Sequence, residues 1–424
     1  MEFKLRNREF YEKLEEKNLA PYATKSRGAH ETRIHAESEH PYRTAFQRDR
    51  DRIIHSRAFR RLKHKQQVFL ISEGDHYRTR ITHTMEVSQL ARTMAKTLGL
   101  NEELVEAIAL GHDIGHTPFG HVGEIVLNDI LSGKDSLDGI LDGNNIGGFK
   151  HNYQSVRVVD LIEKKYLFDG LNLTSYVREG ILKHTRLLRN KYSYPDFNFH
   201  GLNFELEAAT TLEGQVVAIC DEIAQRTHDL EDGIRAGLVV LEQVRDLEII
   251  GLVEKKYNVK NLLKEDQYTY RNETIRGLIN FLVDDVITTG LNNIDKFYQQ
   301  NNRLTFFDKD LITFSNEMNP LQLQLNQFIY KEIIFKGRGE AINNQNKNII
   351  RKLFQRFVEN PLQLPSYIFK RIYYVESERY GERNMKQEIN NERFLRIIAD
   401  HVAGMTDRFA NIEFEKIENL LNEN

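Results

Sequence analysis

Apolar residues along the chain recur mostly at helical spacing. Val87, Leu90, Ala91, Met94, Ala95 and Leu98 follow the 3, 4, 3, 4 rhythm of a buried helical stripe. His83 opens this helix and Gly99 is a natural stop. Asn101 suits the cap of the next helix, with Glu102 and Glu103 in its first turn. That helix, Leu104 to Leu110, runs into Gly111-His112-Asp113, and another is expected from about Phe119. Between 53 and 70, Ile53, Ile54, Ala58, Leu62 and Val68 are expected to line one helical face, with Arg57, Arg60, Arg61 and Lys63 around it. Residues 71–78 read as a loop. The Gly-, Asp- and Asn-rich stretch 132–148 reads as a surface excursion able to hold a small hairpin. Helices resume near Tyr153 and over Leu173–His184, and a long one is expected from Glu205 to about Glu231. Beyond 236 the pattern is helical again, with an irregular stretch near 253–272. Seven prolines in 424 residues leave room for long helices. The expected class is all-α.

The first 50 residues are polar and hold too little apolar surface for a core of their own; they read as an arm packed on the body or on a neighbouring subunit. A weak boundary near 235 separates a motif-rich half, 51–235, from a motif-poor helical half, 236–424. The 59 basic and 62 acidic residues nearly cancel, giving a net charge of −3. No global positive field exists to hold nucleic acid, so such contact would need a local patch. The single cysteine, Cys220, cannot form an intrachain disulfide and fits a reducing cytoplasm. The charged N-terminus lacks the apolar core of a signal peptide, and no apolar run of about 18 residues predicts a membrane span.

The chemistry concentrates in His112-Asp113-Ile-Gly-His116-Thr-Pro-Phe-Gly-His121-Val-Gly-Glu124. Hydrophobic patterning does not require a His-Asp pair at the end of a buried helix. Burying either group without a partner costs several kcal/mol, on the order of 2–7. A divalent cation satisfies both at once. His83 heads the preceding helix, and Asp221 interrupts the apolar face of the long helix just after Val217 and Ile219. Each has a plainer explanation alone, an arginine partner for Asp221 and an ordinary core position for His83. As a set with the His-Asp pair, the four read as ligands. Two imidazoles and two carboxylates suit Mg, Mn, Fe or Ni, whereas structural zinc more often uses cysteines.

The order His…His-Asp…Asp resembles the HD superfamily of metal-dependent phosphohydrolases. Residues 50–62 (RDRIIHSRAFRRL), 65–69 (KQQVF), 78–87 (RTRITHTMEV), 112–124 and 403–409 (AGMTDRF) are more narrowly similar to its deoxynucleoside triphosphate triphosphohydrolases, the dGTPase-like proteins. The resemblance implies an HD-domain helical core with an additional C-terminal helical region, in which 390–410 packs back on the catalytic part. It implies conversion of a dNTP and water to deoxynucleoside and intact triphosphate. By this resemblance His121 is the acid/base histidine, and Glu124, three residues on, shares its helical face, orients it and raises its pKa. His116 matches a histidine of some family members that contacts the α-phosphate. Arg80 matches a phosphate-contacting arginine and Gln67 a glutamine beside the nucleoside; Arg61 and Lys65 are weaker candidates. His151 resembles a histidine near the substrate. Asp229 matches the family, but Gln225 stands where a tyrosine is frequent; residues 221, 225 and 229 share one face of a helix. The rest of the acidic run at 228–232 reads as solvated surface at a helix end. The resemblance also implies a homo-oligomer and nucleotide activation.

Two rivals share these features. Another HD enzyme, a nucleotidase or signalling-nucleotide hydrolase, would use the same four ligands and release other products. A non-enzymatic nucleotide sensor or single-stranded nucleic-acid binder would draw on the arginines of 42–63, against the near-neutral total charge.

Overall fold

A computed structural model of the chain describes residues 5–67, 78–187, 191–337, 340–365, 368 and 391–422. Among these, helices joined by loops make up the fold. The only ladder contacts among the described residues are the isolated bridges Gln66–Thr79 and Lys164–Gly170. Val68, Phe69 and most of the expected 71–78 loop lie outside the described residues, as does most of 366–390. Among the described residues no helix is long and apolar enough to cross a membrane.

The helices are α1 (Arg8–Asn18), α2 (Ala45–Ile54), α3 (Arg57–Arg61), α4 (Arg80–Thr97), α5 (Glu102–Gly111), α6 (His121–Leu131), α7 (His151–Arg157), α8 (Ser175–Leu182) and α9 (Leu212–Arg235). They continue as α10 (Leu241–Arg245), α11 (Glu248–Tyr257), α12 (Leu262–Glu265), α13 (Gln267–Asn301), α14 (Met318–Phe328), α15 (Glu340–Glu359), α16 (Glu392–Ala403) and α17 (Asp407–Asn422). Capping explains several boundaries. Asn101 accepts from the Glu103 and Leu104 amides to start α5, and Thr211 accepts from the Gly214 amide to start α9. Leu98 and Gly99, the latter at φ 69°, close α4.

Several expectations need correction. Residues 53–64 are not one helix. Ser56 accepts the Phe59 amide and starts a new short helix, so Ile53, Ala58 and Leu62 are buried while Ile54 is exposed. The helix expected to open at His83 begins one turn earlier, at Arg80. The one expected near Phe119 begins at His121, because Phe119 takes φ 58°. The long helix starts at Leu212, not Glu205, and extends past Glu231 to Arg235. The 132–148 excursion contains no hairpin, and 253–272 holds the end of α11, all of α12 and the start of α13.

Two hydrophobic clusters organise these helices. The larger contains Phe46, Ile53, Met94, Leu104, Ile108, Val217 and Ile223 and extends without a seam at 235 to Leu282 and Ile333. The smaller joins Phe119, Leu127 and Phe149 to Ile350, Phe354, Ile398 and Val402 of the C-terminal helices. The N-terminal segment is tied to the larger body. Glu213 accepts from the Thr24 amide (2.8 Å), the Thr24 hydroxyl (2.8 Å) and the Asn101 amide (3.2 Å), and Tyr22 donates to Leu98 O.

The loop after α5 bridges the clusters: Ile114 belongs to the first and Phe119 to the second. C-terminal residues fasten it. Asp407 accepts the Phe119 amide (2.9 Å) and the Gln66 amide (2.8 Å). Lys65 donates from Nζ to His116 O and to Ala403 O. Burial and the nearby Arg61 push that ammonium down to about 7. Gly115 lets the loop press against α7: a Cβ there would sit 2.2 Å from Ser155 N and 2.5 Å from His151 O. Backbone cannot swing aside as a side chain can. Gly115→Ala is therefore expected to destabilise the protein by roughly 1–3 kcal/mol, read as a lower urea midpoint with unchanged slope. An unchanged midpoint would show that α7 is free to recede.

Candidate metal centre

Three elements converge at the C-terminal end of α5. The turn that follows α5 delivers His112, its C-cap, and Asp113, the first turn of α4 delivers Arg80 and His83, and the middle of α9 delivers Asp221. His83, His112 and Asp113 are buried, and one ligand atom from each lies within 4.8 Å of the others. Asp221 Oδ1 is 2.9 Å from His83 Nε2 and 3.6 Å from His112 Nε2. His112 Nε2 is also 3.6 Å from Asp113 Oδ1.

The clearest sign of what this cluster can take is His112. Its Nδ1 lies 2.6 Å from Ala109 O, and a carbonyl only accepts, so Nδ1 carries the hydrogen. Nε2 is left as a fully buried atom without a hydrogen-bond partner. Once its proton is displaced, that nitrogen presents a lone pair beside two carboxylates, which fits a divalent cation. His83 is oriented by residues not singled out in the sequence. Its Nδ1 is 3.2 Å from His228 Nδ1, whose Nε2 is 3.2 Å from a Glu86 carboxylate oxygen. One consistent set of protons runs through this chain: His228 donates to Glu86, His83 donates to His228, and His83 Nε2 keeps its lone pair for the cluster.

Arg80 donates to Asp113 Oδ2 at 2.6 Å, and His116 Nδ1 lies 2.7 Å from Asp113 Oδ1. Burial alone would raise Asp113; His116, Arg80 and His112 outweigh it and hold the carboxyl well below its usual range. Burial and Arg80 push His116 well below the ordinary imidazole value, so it stays neutral. The Arg80 Nε is itself buried without a partner. Its outer nitrogen lies so near Gly120 that a Cβ there would approach to 2.9 Å.

Glu124 is the hub of the second group. It is buried, and His151 Nδ1 (2.5 Å), Lys150 Nζ (2.7 Å) and His121 Nδ1 (3.4 Å) surround its carboxylate. The pairing expected between Glu124 and His121 is present, but His151 is the nearer partner. His121 is 65% exposed, at the rim. His151 is no loop residue: it begins α7 and stacks on His116 with centroids 3.8 Å apart. Beyond it lies His184, just after α8, with Nε2 3.2 Å from His151 Nε2.

Other expected positions are scattered. Gln67 is near the Arg80 end, and its Oε1 is buried without a partner. Arg61 is engaged elsewhere, donating to Gly404 O at 3.0 Å and lining a pocket with Lys65, Gly115, Gln154 and Asp400. On α9, Asp229 is buried but Gln225 is exposed. The run 228–232 is not the solvated helix end expected. It is buried, α9 continues past it, and Arg78 binds Glu231 (2.6 Å) and Asp232 (2.8 Å).

His184 and His228 were missed because a histidine in a helical context carries no periodicity signal. One was available for His184: Gly180-Ile-Leu-Lys-His184, like Ala107-Ile-Ala-Leu-Gly-His112, ends a buried aliphatic turn on a histidine.

Burial would lower His112, but Asp113 and Asp221 reverse this and raise it to about 9 without a cation. A cation must therefore displace a proton at neutral pH. Calorimetry of Mn(II) binding at pH 7.5, in buffers of different ionisation enthalpy, is expected to show about one proton released per ion, with affinity rising between pH 6.5 and 9. Release of none would mean that His112 is not a ligand.

Comparison with known proteins identifies the family. The HD domain family matches residues 80–226, and the phosphohydrolase-associated domain matches residues 312–416. Relatives described as deoxyguanosinetriphosphate triphosphohydrolase-like proteins align along nearly the whole chain. One from Nitrosomonas europaea is 39% identical, covering 94% of this chain and 98% of the relative. One from Geobacter sulfurreducens is 37% identical, covering 95% and 96%. One from Ralstonia pickettii is 40% identical, covering 94% of each. With the histidine–aspartate cluster, the all-helical fold and these near full-length likenesses, the chain belongs to the HD-domain phosphohydrolases, among the deoxyguanosinetriphosphate triphosphohydrolase-like proteins.

Proposed function

We propose that the protein hydrolyses deoxynucleoside triphosphates to deoxynucleoside and inorganic triphosphate, with His83, His112, Asp113 and Asp221 holding a divalent cation. The observation that carries this reading is the unpartnered His112 Nε2 between two carboxylates, with Arg80 bonded to Asp113 and the His121–Glu124 pair following in the same segment of sequence. The description of the relatives supports the substrate class. A divalent cation in such a site polarises a phosphoryl oxygen and lowers the pKa of bound water.

The chain's own residues supply the rest. Water oxygen adds to the α-phosphorus, and the bond from that phosphorus to the 5′ oxygen breaks. The leaving 5′ oxygen needs a proton, and an exposed imidazole at the rim can deliver one and recover it from solvent. His121 is given that role, with the buried Glu124 carboxylate as its anchor. Arg80 faces the triphosphate charge while fixing Asp113. His116, stacked on His151, is given the contact with the α-phosphate. Gln67, with its unpartnered Oε1, takes the nucleoside.

Each dNTP, then dNTP mixtures, would be incubated with Mn(II) or Mg(II) and the products separated by ion exchange. Intact triphosphate and deoxynucleoside are expected, with mixtures exposing any nucleotide activation. His121→Ala is expected to lower kcat by about 10²–10⁴-fold with metal binding retained. Asp221→Ala is expected to lose metal and turnover together. Orthophosphate or pyrophosphate as product would move the protein to another branch of HD enzymes. Silence with every nucleotide would favour a nucleotide sensor.

A further inference from the structure

We propose that Asp407 is a positioning residue for the hydrolysis: its carboxylate fixes the spacing between the segment that carries Gln67 and the segment that carries His121. The inference rests on the proposed function, in which those two residues take the nucleoside and protonate the leaving oxygen.

Asp407 opens α17 within the AGMTDRF motif and is buried. A carboxylate at a helix start ordinarily serves the amides of its own first turn. Here Thr406 takes that task, accepting the Phe409 amide at 3.2 Å. Asp407 instead spends each oxygen on a remote amide. Oδ1 accepts from Phe119 (2.9 Å) and Oδ2 from Gln66 (2.8 Å). Phe119 stands two residues before His121, and Gln66 directly precedes Gln67.

A single acceptor would tie either segment to the C-terminal helices; a fork holds both at a set separation. The two oxygens of a carboxylate cannot move apart, so the amides keep the distance that the fork imposes. Phe119 needs such a partner. It takes φ 58° with a bulky buried side chain, a conformation that persists only where the surroundings impose it. His121 then starts α6 from that fixed point. On the other side, residues 65 and 66 are also joined to the start of α4. Lys65 O accepts the Arg80 amide (3.0 Å), and Gln66 bridges to Thr79. The two segments meet at Gly120, where a Cβ would lie 2.9 Å from the outer nitrogen of Arg80 and 3.6 Å from Gln67 O. One carboxylate thus sets the nucleoside contact, the phosphate-facing arginine and the rim imidazole in a common register. The proton reaches the 5′ oxygen only in that register.

Steady-state kinetics of the metal-loaded full chain test this. Asp407→Asn keeps one acceptor and turns a donor toward the other amide. It is expected to lower kcat by about 10²-fold, the cost of a misplacement of about 1 Å, with KM within about threefold and metal content unchanged. The loss should act through His121. In a His121→Ala background, Asp407→Asn is expected to lower kcat by less than about threefold more. A substrate with sulfur in place of the 5′ oxygen, whose thiolate leaves without a proton, is expected to be cleaved by the wild type and both single variants at rates within about threefold. Asp407→Glu keeps the charge and both oxygens but lengthens the arm. It is expected to lose about tenfold in kcat, and it decides if Asp407→Asn fails to fold. Failure of both to fold, an unchanged kcat in either folded variant, a loss confined to KM, or a loss that multiplies fully with that of His121→Ala would overturn the proposal. Wild-type protein that releases no triphosphate would overturn the proposed function together with this role. An active wild type with a fully multiplying double variant would overturn this role alone.

Discussion

An imidazole and a carboxylate, placed side by side where the chain has excluded water, need a compensating charge. That need at the end of α5 shapes much of the structure around it. Asp113 accepts from Arg80 and lies against His116, while His112 spends one nitrogen on Ala109 O and leaves the other unpartnered. Leaving such an atom without a partner costs on the order of 1–3 kcal/mol, so the arrangement is poor as a purely structural device. It is sound as a cation site, where the same lone pairs become ligands.

The C-terminal helices belong to this site as much as the HD core does. Asp407 holds the amide of Phe119, a residue in a left-handed conformation just before α6, and Lys65 clamps the loop to Ala403. The loop therefore has one hydrophobic cluster on each side and polar fasteners across the seam. Glu124 at the start of α6 and His121 at the rim inherit their positions from it. The ion pairs of Arg157 with Asp196 and Asp400, both at 2.8 Å, tie α7 to the segment between α8 and α9 and to α16.

What could be read from the sequence follows the kind of signal each part carries. The stripe from Val87 to Leu98, the Asn101 cap and the His-Asp pair were legible because periodicity, capping and buried charge are local. The break at Ser56 was not, since a helix and a cap one residue apart share their apolar positions. Residues 228–232 looked solvated because their partner, Arg78, lies about 150 positions away in sequence and only folding brings it near. His184 and His228 escaped for the same reason: each gains its meaning from an imidazole on another helix. Arg61 was placed by its charge, and its backbone contact with Gly404 could not be foreseen.

The central claim is that the buried cluster is a ligand set and not an internal salt-bridge network. Anomalous diffraction from crystals of the Mn(II)-loaded protein tests it most directly. The account predicts a metal peak within bonding distance of His83, His112, Asp113 and Asp221. A map without a peak there, with His112 Nε2 donating a hydrogen bond to Asp221, would contradict it.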